Sequence, residues 1–315
     1  MTPMLPLHRM ILETVAYYDV FDYPLTEFEV WQLLLATDGE GERVGRIPFR
    51  DVLETLDGSF LRKRLGRFRG FVFLRGREAL VPIRIGRQKR ADAQILRARR
   101  IAALFRFFPF VRMAGLTGSL AMKNIGRGSD WDFFIVLESG HIWTGRAIAT
   151  GMLHLLGLRR HGKKVSGRAC PNFWVTTSSL EIRLKDIFST NEYLFLIPLF
   201  DEGVFAKFQE ANAWIRRFRP NFEYARLSHR YRVADTPVSI FVRGFLEKIV
   251  SSPRVEKLLR SIQQKKIIAN PKTKTADGII EANDDRLVFL PSPRGPKIFE
   301  AFRRRVSDVE TSAMA

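Results

Sequence analysis

Two carboxylates one residue apart, Asp130 and Asp132, head the apolar run Phe133-Phe134-Ile135-Val136. Alternate side chains of a strand share a face, so both carboxylates project to one side while Trp131 projects to the other. Two acidic groups held in parallel on a rigid strand suit one or two divalent cations. A ten-residue spacer separates them from Leu116-Thr117-Gly118-Ser119, which reads as a strand end and a tight Gly-Ser turn. Such a turn offers backbone N–H groups and a hydroxyl to a phosphate. The chemistry these residues suggest together is metal-assisted phosphoryl or nucleotidyl transfer. Lys123 and Arg127 in the spacer add cations within reach of phosphates, although Arg127 reads better as a solvated loop charge.

The elements that position these residues follow from the pattern on either side. Residues 87–108 form a long Arg-rich helix with Ile95, Leu96, Ile101, Leu104 and Phe105 as its apolar stripe, stopped by Pro109. Phe110 to Leu116 is a strand leading into Gly118-Ser119, Asp130 to Leu137 a second, and Ile142 to Leu158 a helix. Lys163 to Thr176 and Leu180 to Leu184 read as further strands. From Asn191 the pattern turns helical: Tyr193–Phe200, Val204–Phe218, Val238–Val250 and Val255–Ile267. A strand at Arg286–Leu290 and a basic helix close the chain. Upstream, Ile11, Leu12, Val15 and Tyr18 mark one helix. Thr26 caps a second, Pro48 opens a third, and a Gly-punctuated ribbon runs through 60–77 with another strand near Ala79–Ile83.

The 315 residues suffice for two or three domains, and the formal net charge is +19. Residues 1–86 are neutral overall, with 12 basic and 12 acidic side chains, so the excess lies downstream. A basic chain attracts polyanions, whether nucleic acid, nucleotides or an anionic membrane. Within 60–77, however, seven basic and no acidic residues stand together. Three short helices followed by a basic ribbon resemble a winged helix-turn-helix domain, whose Arg-loaded wing could lie along a phosphate backbone. No apolar run is long enough to span a membrane, no signal peptide is evident, and Cys170 is the sole cysteine. A cytoplasmic protein is expected. The five histidines (His8, His141, His154, His161, His229) have no zinc spacing.

Gly118-Ser119, the spacer and Asp130-x-Asp132, with Ser129 before the first Asp, resemble the DNA polymerase β-type nucleotidyltransferase superfamily, with a minimal or kanamycin-nucleotidyltransferase-like core. The resemblance implies an α+β fold: a mixed sheet with helices packed on one side, an N-terminal winged helix and a C-terminal helical region. The corresponding divisions are 1–86, a core at 87–188, a helical domain at 189–275 and a tail at 276–315. It further implies that Gly118, Ser119, Ser129 and Lys123 hold a nucleoside triphosphate and that Asp130 and Asp132 bind Mg²⁺ or Mn²⁺ and are catalytic. Members usually add a third carboxylate from a later strand. The corresponding strand here, Ala169 to Val175, has none; Asn172 is the nearest substitute as a metal ligand, and Glu181 lies one element later. The alternative is a nucleic-acid-binding or regulatory protein with a weakened transferase core. A third reading, a peripheral membrane protein using the basic amphipathic stretch Val238–Ile267, carries little weight, because a bundle helix buries the same apolar positions.

Overall fold

The computed structural model describes residues 6–38, 41–223 and 231–312; of the histidines singled out above, His229 falls outside them. Helix α1 (Leu7–Asp19) buries Ile11, Leu12, Val15 and Tyr18. A two-residue strand, β1 (Leu25–Thr26), runs into α2 (Glu27–Gln32), whose start is a capping box: Thr26 Oγ1 accepts from Glu29 N, and Glu29 accepts from Thr26 N. Short helices α3 (Gly41–Val44), α4 (Phe49–Leu56) and α5 (Ser59–Arg62) follow. Strands β2 (Leu65–Phe68) and β3 (Phe71–Leu74) form a hairpin whose two loop residues, Arg69 and Gly70, both have positive φ, as a tight right-twisted hairpin requires. With β1 on the other edge of β3 they make a three-stranded antiparallel sheet.

Helix α6 (Leu80–Phe105) then leads to β4 (Val111–Leu116), the single turn α7 (Gly118–Ala121) and β5 (Trp131–Leu137). The chain continues through α8 (Ile142–Leu155), β6 (Ala169–Thr176), α9 (Ile187–Leu194), β7 (Ile197–Asp201) and α10 (Val204–Ala211). After these come α11 (Pro237–Val250), α12 (Pro253–Ala269), β8 (Ile279–Ala282), β9 (Arg286–Leu290) and α13 (Gly295–Ser312). The six-stranded sheet runs β7-β4-β5-β6-β9-β8, with β5–β6 parallel and every other neighbour antiparallel. The fold is therefore mixed α+β.

Alternate residues of β5 divide between two cores. Phe134 and Val136 join a core built with α1, α2, α4, α9, α10 and Phe302 of α13, while Phe133, Ile135 and Leu137 pack with α6 and α8. Helices thus cover both faces of the sheet rather than one, because strands apolar on both sides must be shielded on both. Nor is the sheet confined to 87–188, since β7, β8 and β9 come from later in the chain.

Three local expectations are corrected. Ala79–Ile83 opens α6 instead of forming a strand, with Pro82 in the first turn, where its missing N–H costs nothing. Tyr193–Phe200 is not one helix but the end of α9 and then β7. Leu180–Leu184 is not a strand. Its backbone is bonded by side chains instead: Ile182 N donates to Asn212 Oδ1, Asn212 Nδ2 donates to Leu180 O, and Arg286 Nη1 donates to Glu181 O.

Candidate functional site

Strands β4 and β5 lie antiparallel with Leu116 opposite Phe133, and Thr117 N donates to Asp132 O at 3.1 Å. That register sets Gly118 against Asp132. Gly118 has φ +68°, and a Cβ there would stand 2.9 Å from Asp132 Oδ2 and 3.4 Å from Glu192 Oε1. Only glycine allows so close an approach in this left-handed backbone. On the other side of β5, Asp132 pairs in register with Cys170 of β6, and the register then slips by one residue. Asn172 is the extra residue of that bulge, and it donates Nδ2 to Asp132 Oδ1 at 3.1 Å.

The structure thus brings together Asp130, Asp132, Gly118 and Asn172. One ligand atom each from Asp130, Asp132 and Cys170 lies within 4.8 Å of the other two. Two groups that the sequence reading passed over also belong here. Glu192, on the face of α9 turned to the sheet, aims its carboxyl at the Gly118 amide and at Asp132. Arg160, from the loop after α8, ion-pairs with Asp130 Oδ2 at 2.6 Å and also donates to Cys170 Sγ at 3.8 Å. Arg294, before α13, adds a more distant positive charge acting on Asp132 and Glu192.

Crowding of acids sets the electrostatics. Burial, then the neighbouring Asp130 charge, pushes Asp132 up to about 6, against the pull of Arg160 and the Asn172 hydrogen bond. Burial and the Asp132 charge push Glu192 up to about 7, opposed by the Gly118 amide. Burial, with both aspartates, pushes the Cys170 thiol up to about 12, so it stays protonated at neutral pH. The donor set therefore fits a hard, oxygen-seeking cation through Asp130 and Asp132 rather than a thiophilic one. Asn172 turns its Nδ2 to Asp132 Oδ1 and so steadies that carboxylate in this arrangement.

The other expected residues are held by different contacts. Lys123 adopts a left-handed backbone (φ 57°) and pairs with Asp92 of α6 at 3.0 Å, away from the aspartates. Ser129 lends its carbonyl to Gly167 N, Arg127 is exposed, and Ser119 is partly exposed beside Gly118. Glu181 is exposed and bonded to Lys185, so it is not the missing carboxylate. Of the lysines and arginines flanking the site in sequence, Arg160 rather than Lys163, Lys164 or Arg168 reaches Asp130. The histidines His154 and His161 meet ring to ring at 5.3 Å, but among the described residues the only group of three or more potential metal ligands of His, Cys, Asp and Glu type is the one at Asp130.

The basic ribbon is largely spoken for by its own domain. Arg67 pairs with Glu27 at 3.3 Å and Asp57 at 3.0 Å, and Arg77 with Asp19 and Asp22. Arg64 lies over the Phe60 ring, and Arg75 donates to Arg62 O. Acids of the preceding helices and turns thus pair with Arg62, Arg67 and Arg77 of the ribbon.

Comparison of the chain with protein-family models, with curated proteins and with solved structures returns no match.

Proposed function

We propose that this chain is a Mg²⁺- or Mn²⁺-dependent nucleotidyltransferase that moves a nucleoside monophosphate from a nucleoside triphosphate to a hydroxyl acceptor. The observation that carries the reading is the close approach of Gly118 to Asp132, with Asp130 on the same strand and Glu192 facing Gly118 from α9: a glycine turn backed onto carboxyls. Glu192 supplies from a helix the third carboxyl that the resemblance leads one to seek on a later strand. The mixed sheet and the small helical domain with its hairpin agree with a transferase core preceded by a winged helix.

In this reading Asp130 and Asp132 hold the cation, and Gly118 and Ser119 present the turn to the triphosphate. A bound divalent cation supplies charge neutralisation for the triphosphate and acidifies the acceptor hydroxyl. The acceptor oxygen forms its bond to the α-phosphorus, the bond to the pyrophosphate oxygen breaks, and the hydroxyl proton must leave. Glu192, with a proton affinity near neutrality, suits the uptake of that proton. Arg160, which pairs with Asp130 Oδ2 here, would compete with a cation for that carboxylate and, once freed, could face a phosphate.

The test is incubation with labelled nucleoside triphosphates, Mg²⁺ or Mn²⁺, and candidate acceptors, with pyrophosphate release as readout. Asp132→Asn is expected to lower turnover by about a hundredfold or more while the fold persists. Equal turnover in the variant overturns the assignment. A second reading, a regulatory protein that binds a nucleotide without turning it over, is favoured by one feature: Arg160 and Asn172 already satisfy the two aspartates. Nucleotide binding that survives with no pyrophosphate release, in the presence of every acceptor class, selects it.

A further inference from the structure

Helix α11 is mounted inside out. The fully buried residues it turns to the body of the protein are polar, Ser239 and Arg243, with Glu247 half-buried beside them and Val250 at the helix end packed on the second core. Arg243 donates to Arg106 O at 2.5 Å, pairs with Asp235 at 2.8 Å and also pairs with Glu202. Glu247 accepts from Phe110 N and from Arg112, both at 2.8 Å. The outward face is apolar: Val238, Phe241, Phe245 and Ile249 recur at helical spacing with exposures of 65, 73, 55 and 60 %. The rings of Phe241 and Phe245 stack side by side in solvent. The apolar positions that a bundle would bury are left uncovered by the bundle.

The charges of the two helices sort the same way. Their only carboxylates, Glu247 and Glu256, both face inward, Glu256 accepting from Trp143 N at 2.8 Å and Thr144 N at 2.9 Å on α8. Lys248 beside the apolar stripe, and Arg254, Lys257, Lys265 and Lys266 on α12, are exposed, and among the described residues none is paired with a carboxylate. Leu258 lies exposed among them at 61 %.

From this polarity we infer that α11 and α12 dock the protein on an anionic lipid surface, with Phe241 and Phe245 entering the headgroup boundary and the lysines meeting lipid phosphates. A helix with an aromatic and aliphatic face beside lysines lies in the plane of such an interface. Among the described residues no helix is long and apolar enough to cross a membrane, so the contact is peripheral. The charge complementarity is what selects this occupant. A second copy of the chain would bring a like-charged rim and another net charge of +19 against this face.

The experiment mixes the full chain with vesicles of phosphatidylcholine alone and of phosphatidylcholine with phosphatidylglycerol, and reads the bound fraction by sedimentation. The protein is expected to bind the anionic vesicles and not the neutral ones. Partition should fall about tenfold or more for Phe241→Ser with Phe245→Ser, and also for Lys248→Glu with Lys257→Glu. All four side chains are exposed, so an unchanged unfolding midpoint accompanies the loss. Absence of binding, equal binding to both vesicle types, or binding indifferent to the phenylalanine pair overturns the proposal. So does a solution dimer that the phenylalanine variant converts to monomer, since a second copy is then the occupant.

Discussion

Between pH 5 and 8 the folded protein holds protons that the unfolded chain has already lost near pH 4, because Asp132 titrates at about 6 and Glu192 at about 7. The stability these groups contribute is complete below the unfolded values and is lost as pH rises through 6 and then 7. Glu192→Gln keeps the shape and removes the charge. It should leave stability nearly unchanged at pH 3.5, below the unfolded value, and raise it at pH 8 by about 1–3 kcal/mol, read from denaturant unfolding at both pH values. A variant less stable at pH 8 would mean that Glu192 is held ionised by a partner it needs. At Gly118 the cost runs the other way. Gly118→Ala meets both a left-handed backbone and the Asp132 carboxylate, whereas Gly128→Ala, at φ +84° with open space around it, meets the backbone strain alone. Both should lose about 1–2 kcal/mol. Gly118→Ala alone should also weaken Mn²⁺ binding, measured by titration, because it displaces a ligand.

At the scale of elements, α8 and α12 are joined through one side chain. Glu256 of α12 accepts from Trp143 N, Thr144 N and Thr144 Oγ1 at the start of α8, where N–H groups lack intrahelical partners and the helix dipole favours an anion. Glu256→Ala is expected to cost about 2–3 kcal/mol, and hydrogen exchange should quicken first at the α8 N-terminus. Exchange that quickens evenly over the whole chain would deny the two helices this coupling. Such contacts are what the sequence could not disclose, and the corrected elements follow the same logic. Apolar runs such as Tyr193–Phe200 fit helix and strand alike; β7 became a strand because β4 offered it an edge, and Pro198 is tolerated because that strand is outermost. Alternation at Leu180–Leu184 looked like a strand, but Asn212 and Arg286 supply from far along the chain the bonds a ladder would have given. By contrast, the Thr26 cap, the strand at Arg286–Leu290 and the Gly118–Asp132 juxtaposition rest on local chemistry and were legible. Glu192 was not, since it sits in an unremarkable helix and becomes a site residue only when α9 packs on the sheet.

For the whole molecule, the question is whether the last forty residues are an appendage. In sequence 276–315 reads as a tail, yet β9 pairs along β6 through Phe173, Trp174 and Val175, and β8 pairs with β9. Arg286 binds the carbonyls of Ser179 and Glu181, and Phe302 of α13 enters the core against Tyr17 at 5.6 Å. Helix α13 also packs on both α1 and α9, the helix that carries Glu192. Removing the tail would strip one side of β6, next to the strand bearing the aspartates, and open an apolar edge to other chains. It would also uncover the partners of Leu287 in the second core and the Phe302 site in the first. A chain ending at residue 275 should therefore unfold without a sharp transition, or at a midpoint lowered by about 10 °C or more, and should aggregate at concentrations where the full chain stays dispersed. A truncated chain that unfolds as cooperatively as the parent would make the tail a separate unit. Loss of cooperativity makes the six strands, the helices on both faces and the acidic cluster between them parts of one folding unit.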